Sequence, residues 1–489
     1  MRNCLLFAVA AMLSVGGLQA QPKGKPVAGA EKFEAFRDFR SALTLKQGIT
    51  ERYSPMKSGN VNLDPPSADD VAVLYDVAKS LVYPLTLAEV YLPIPIGSDA
   101  SELVVKSFEA STLTKIFNKL RGELAPVVPG IQPQFVAFNR EFGIQLVKAI
   151  DDILAKGPPA VVRINAIRVL AIVAESGNPA ALKKTIDLMK TRNEPNVKLD
   201  TLYHALHSAE ACLGSLDNER ILRVEKGWTT KAMAFELIKL VDEFVNDVPG
   251  AIISGTFQPE NTTATLTTDA IAPGTPAPLS AEQVASVQFF RLAAVKALAK
   301  VKSDIVKLEA NLAPGGKEQE VRPLFTLARI AMSDATLVAR PSNKEVGEAL
   351  LGLMTALPGE SVDADMLGAV IARASMDFSN PRVADQKNVD SSVGALPWKI
   401  FGTRLETAST NYEKNLKDFK TKLPKEGKDL LANAMQKLQR DCFMPMAKNG
   451  TLTMSSIEAF FEECSKALLK KKAAVLFVDQ PAKLLAWPK

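Results

Sequence analysis

Histidine is nearly missing from this sequence: there are two in 489 residues, His204 and His207. Imidazole is the side chain best suited to proton transfer near neutral pH, and it is a frequent metal ligand. A Ser–His–Asp arrangement would have to use one of those two, and no nucleophile stands in a recognisable motif. Also missing are a Gly-rich phosphate loop after a strand, a Gly-x-Ser-x-Gly elbow, and His-Glu-x-x-His and Cys-x-x-Cys-His patterns. The motifs therefore call for no cofactor. Aromatics make up only 6% of the chain. With Ala, Leu, Val and Lys dominant, that composition favours helices over a sandwich or barrel. The net charge of +5 is modest, so nothing demands a nucleic-acid partner.

Cysteine is scarce too, with four in the chain: Cys4, Cys212, Cys442 and Cys464. Cys4 falls inside an N-terminal stretch with the layout of a secretory signal. Met1-Arg2-Asn3 is a short positive start, Leu5 to Gly17 is apolar, and small residues lead to Ala20, where cleavage is expected. An uncleaved anchor is the alternative, but the apolar run is short for a span of about 20 residues. No Cys follows the cleavage point, so the lipoprotein pattern is absent. No later apolar run is long enough to cross a membrane. The expected product is exported, periplasmic or extracellular, and without a transmembrane segment after signal cleavage. An oxidising compartment would permit a Cys442–Cys464 bridge worth about 3 kcal/mol. The alternative is three buried thiols.

What the chain does have is helical periodicity, interrupted by proline and glycine. After the signal at 1–20, residues 21–68 read as a flexible region with one short helix, Glu31 to Leu43. Residues 69–248 read as a repeat-like helical domain. It begins with a helix capped by Asp69-Asp70 and includes Phe135 to Lys156, Val161 to Glu175, Ala181 to Lys190, Val197 to Leu213 and Lys231 to Val248. Residues 249–279, rich in Thr, Pro and Gly, form a loop or a hairpin around Gln258-Pro259-Glu260-Asn261. Asn261-Thr262-Thr263 matches a glycosylation sequon. Helices resume over 280–377, including Ala281 to Lys300, Glu320 to Ser333, Lys344 to Ala356 and Ala364 to Met376. Residues 378–400 read as loop. Residues 401–489 are a basic helical segment, with 16 Lys and Arg against 10 Asp and Glu. Within it, Ala473 to Val478 is strand-like and would need a partner.

Two helices repeat one pattern. Arg163-Ile-Asn-Ala166-Ile-Arg-Val-Leu170-Ala171-Ile-Val173 aligns with Arg291-Leu-Ala-Ala294-Val-Lys-Ala-Leu298-Ala299-Lys-Val301. The small Ala166 and Ala294 admit a close neighbour, and Leu170 and Leu298 fill the core beside them. This resembles the second helix of a HEAT-like repeat, in Pro159, Val162, Arg163, Ala166 and Leu170. The second match keeps Arg291, Ala294 and Leu298 but lacks the preceding Pro and has Phe290 where Val would stand. The resemblance covers about 160–215, and part of 281–356. It implies an all-α fold, a HEAT-like α-solenoid whose units stack on their neighbours and whose concave face binds a partner. An irregular helical array is the alternative.

Candidate sites are few. Asp200, His204 and His207 stand at i, i+4 and i+7 on the polar face of one helix. There they could converge on an ion such as Zn²⁺ or Cu²⁺, or be an ordinary solvated face. Lys466 with Lys470, Lys471 and Lys472 could meet an anionic surface or simply end a helix. Trp228, Trp398 and Trp487 are isolated, and a Trp packs more often than it stacks on a ligand. Three functions fit: a non-enzymatic binding or scaffolding protein of the cell envelope, with an envelope protein or polymer as partner; an envelope enzyme with a carboxylate-only site, for example polysaccharide-cleaving; or a metal-binding protein.

Overall fold

Serine capping boxes open three of the helices. The computed structural model describes residues 30–87, 90–91, 102–125, 133–194, 197–215, 228–253, 279–313, 315–385, 395–418, 421–449, 475–480 and, singly, 458, 462 and 485. A 3₁₀ stretch, Ala30–Leu43, comes first. The α-helices that follow are α1 (Ile49–Lys57), α2 (Ala68–Val82), α3 (Glu102–Leu124), α4 (Pro133–Ala155), α5 (Ala160–Glu175), α6 (Pro179–Lys190), α7 (Leu199–Ser215) and α8 (Trp228–Asn246). After a short turn come α9 (Ala281–Leu298), α10 (Pro323–Ala331), α11 (Asn343–Leu353), α12 (Ala364–Asp385), α13 (Ala395–Lys417), α14 (Lys425–Leu438) and α15 (Met444–Asn449). Ser67, Ser280 and Ser342 each cap a helix reciprocally with Asp70, Gln283 and Glu345. Such caps satisfy backbone N–H groups that have no partner inside the helix.

Packing arranges these helices in two rows. α3, α5, α7, α9, α11 and α13 each pack on the next in that order, and α2, α4, α6, α8, α10, α12 and α14 do the same. Sequence neighbours such as α6 and α7, or α13 and α14, pack across from one row to the other. The repeated positions serve the first row: Ala166, Leu170, Ala294 and Leu298 are all fully buried. The fold is all-α, as composition implies, and the described residues include one small antiparallel pair of β1 (Val306–Leu308) and β2 (Gln319–Val321). No helix among the described residues is long and apolar enough to cross a membrane.

Several boundaries differ from the sequence reading. Residues 49–57, read as loop, form α1. Ile49, Tyr53 and Met56 are buried at helical spacing, and Pro55 and the glycines around this segment masked that period. The cap of α2 is Ser67 rather than the Asp pair. The helix expected from Glu320 starts at Pro323, because the residue before a proline favours extended backbone and Pro suits the first helical position. Residues 378–400 are helical at both ends. Phe378 and Phe401 pack ring on ring at 4.9 Å, and that burial outweighs a loop-like composition. Residues 254–278, with the hairpin and sequon, lie outside the described residues. So do 386–394 and most of 451–474.

The strand-like C-terminal run has the partner it needed. Phe477 bridges Val362, Asp363 N–H donates to the Leu476 carbonyl at 2.9 Å, and Val478 N–H donates to that of Ser361 at 2.9 Å. Arg322 then clamps this segment. Its guanidinium donates to both Asp479 oxygens at 2.8 and 2.7 Å and lies 4.5 Å over the Phe477 ring. At the other end Tyr75 and Tyr83 both donate to Asp152, which ties α2 to α4.

Two expectations follow. A Cβ on Gly143 would sit 1.9 Å from Asn178 Nδ2. That amide donates to the Asn139 carbonyl at 2.7 Å, while its oxygen caps α6. Gly143→Ala should therefore destabilise by about 1–3 kcal/mol against its helix propensity, whereas Gly122→Ala, with nothing within 4 Å, should stabilise by up to about 1 kcal/mol. Thermal melts of the two variants decide it. Separately, the Arg291–Glu345 pair is wholly buried, at 2.6 Å. Arg291→Met should cost about 3–5 kcal/mol in urea unfolding, Arg163→Met, whose pair is partly exposed, about 1–2, and Arg291→Met/Glu345→Met should recover part of the loss. Equal losses for the two single variants would show that burial of the pair does not matter.

Candidate functional site

The centre of the first row carries both histidines. α7 is held against α5 by Arg163, whose Nε and Nη2 donate to the Asp200 carboxylate at 3.2 and 2.5 Å. Its counterpart in the repeated pattern, Arg291, donates to Glu345 of α11 at 2.6 Å. Both arginines thus tie one first-row helix to the next. Asp200 is committed to this pair, and its oxygen also caps the Thr201 N–H at 2.6 Å. The His204 and His207 rings stand 6.1 Å apart. Among the described residues no group of three His, Cys, Asp or Glu side chains is arranged to hold a metal ion. Of the three residues at i, i+4 and i+7, Asp200 is drawn toward α5 by its bond to Arg163.

What gathers around the histidines is aromatic. Tyr203 packs edge-on to His204 at 5.3 Å and to His207 at 4.7 Å. Its ring stacks on Phe289 of α9 at 4.4 Å with 15° between the planes. Phe290, next in sequence, turns inward and is 3% exposed, while Phe289 is 51% exposed. One helical step of about 100° explains the difference. The tandem Phe289-Phe290 and the Tyr203-His204 pair are local signals for this patch, but nothing local marks their meeting across two helices.

Beside the patch lies a cleft of about 470 Å³ between α5, α7 and the end of α9. Ala171, Ala211, Gly214 and Ser215 form its small-residue lining. Its polar groups are His207, Glu210, Glu175 and Lys300. Glu210 stands 3.7 Å from His207 Nδ1 and 3.4 Å from Lys300. Glu175 pairs with Arg121 of α3 at 3.0 Å. Burial alone would raise the Glu210 carboxyl, but the nearby His207 and the charges of Lys300 and Lys296 hold it below the usual range. Its charge reaches Arg404 of α13, whose acidity is set mainly by its bond to Glu348. Burial, the neighbouring His207 and Arg168 push His204 down to about 4, against a smaller opposing pull from Asp200. Burial, with Glu210 next, raises Tyr203.

A carboxyl acting as general acid needs its proton near neutral pH, and Glu210 is shifted the opposite way. The other expected site residues fall elsewhere. Cys442 is buried, while Cys464, Lys466, Lys470, Lys471, Lys472 and Trp487 lie outside the described residues. Trp228 opens α8 and Trp398 lies in α13.

His204 makes a pH prediction. Its folded pKa lies below its unfolded value, so the unfolded chain binds the proton more readily. Its contribution is full above about pH 6.5 and is lost as pH falls toward about 4. Half-buried and partly screened, it should contribute about 1–2 kcal/mol across that window. His204→Asn should flatten the fall in melting temperature between pH 6.5 and 4.5 without touching the steeper carboxylate-driven loss below. An unchanged slope would show that the ring is not kept neutral.

Comparison with protein families, with characterised proteins and with solved structures finds no match for this chain, so its site is read from its own chemistry.

Proposed function

We propose that this protein is an exported, non-enzymatic binding protein of the cell envelope that presents its first helical row, stacked as a HEAT-like α-solenoid, to an envelope protein or polymer. The observation that carries the reading is the half-exposed Phe289, stacked on Tyr203 beside the cleft. A large exposed aromatic held rigid by a second ring is the kind of anchor around which recognition surfaces are built. The stacking reading is supported by two arginines at equivalent repeat positions making equivalent bonds, Arg163 to Asp200 and Arg291 to Glu345. The export reading is supported by the N-terminal layout from Met1 to Ala20. The carboxylate-only enzyme finds less support, because Glu175 and Glu210 are both paired with cations.

The test is affinity capture from envelope extract with the mature chain, Phe289→Asp and Leu430→Asp. Leu430 is similarly exposed, at 43%, but lies on α14 in the second row. A species retained by wild type and Leu430→Asp should drop more than about fivefold with Phe289→Asp. Identical profiles for all three would sink the first-row reading.

A further inference from the structure

We infer that the cleft and the aromatic pair beside it form a binding site for a run of neutral polyhydroxylated rings, an uncharged glycan with one ring over the aromatics and the next along the cleft. This rests on the recognition reading above and names the ligand class for that same face. The first ground is charge. Glu210 is balanced by Lys300 at 3.4 Å and Glu175 by Arg121 at 3.0 Å. Ions already paired offer a charged ligand little and would have to part to bind it. The same pairs set hydrogen-bond donors beside acceptors, the pattern that neighbouring hydroxyls on a ring require.

Shape is the second ground. The space of about 470 Å³ above Ala171, Ala211 and Gly214 is within the range of small-ligand sites. The third is the plate itself. Tyr203 and Phe289 lie nearly parallel, 15° apart, and His207 links them to the cleft, at 4.7 Å from Tyr203. An aromatic face is electron-rich, and the axial C–H face of a sugar ring is its complement. A nucleic acid or acidic polymer would call for several unpaired cations along the cleft, where, among the described residues, Lys300 is the one lining cation and is paired with Glu210, and a metal would call for a ligand set that these residues do not assemble.

The experiment is a printed array of neutral hexose and N-acetylhexosamine oligomers, with uronic-acid oligomers as acidic counterparts. It is probed with the mature chain, Phe289→Ala, Lys300→Gln and Leu430→Ala, each checked for folding by circular dichroism. Wild type and Leu430→Ala should bind neutral oligomers, and Phe289→Ala and Lys300→Gln should weaken that binding about tenfold. Binding to acidic oligomers alone, to none, or equally by all four proteins overturns the inference. If envelope capture still depends on Phe289 while no neutral oligomer binds, the glycan assignment falls and the recognition face stands. If capture does not depend on Phe289 either, both fall.

Discussion

The fully buried bond between Arg291 and Glu345 is the constraint around which the first row is organised. A charge taken out of water needs a partner of good geometry. Arg291 has one such bond, from Nε, and its Nη1 and Nη2 have no partner among the described residues. Glu345 is used more fully. Its second oxygen accepts from the Ser342 N–H at 2.6 Å and the Ser342 hydroxyl at 2.7 Å. One carboxylate therefore caps α11 and fixes α9 against it. A hydrophobic pair could fill the same volume, but it would tolerate sliding and rotation that this pair does not. We take register, rather than net stability, as the physical reason for a buried ion pair here.

Register on the inside sets geometry on the outside. With Arg291 held inward, the rotation of α9 about its axis is fixed, and Phe289 must point away from the core. Asp200, held by Arg163, sets α7 in the same way, so that Tyr203 and both histidines share a face. Phe289 and Tyr203 meet because two separate arginine–carboxylate bonds orient their helices. The cleft below them follows from small residues. At Ala171, Ala211 and Gly214 the side chains are too short to fill the space between α5 and α7.

Much of this was legible in the sequence, and the exceptions have physical causes. The helices from 133 to 215 could be read from period and proline alone, because their cores are regular and their turns short. The repeated Arg-x-x-Ala pattern pointed to the residues that join the row. It did not show that Asp200 and Glu345 were the acceptors, since a long-range bond leaves no local trace. The partner of Asp200 was hidden for that reason: Asp200 has helical spacing to both histidines, but Arg163 lies 37 residues upstream. Helices α1, α12 and α13 were underestimated where 49–57 and 378–400 were read as loop. Tertiary burial of Tyr53, Phe378 and other residues overrode that signal.

The scarcity noted at the outset bears on function. In a chain with few aromatics, both histidines, a tyrosine and two phenylalanines collect on two adjacent helices. Phe290 accounts for itself by packing inward, and Tyr203 partly so. Phe289 does not, since burying it would be favourable and the fold leaves it half in water. A single exposed apolar residue needs no explanation. An exposed ring stacked on a second ring beside a charge-balanced cleft is a different case. There the scaffold holds apolar surface in a fixed orientation in solvent, an arrangement that would lower the entropy lost on covering it and that underlies the proposed recognition face.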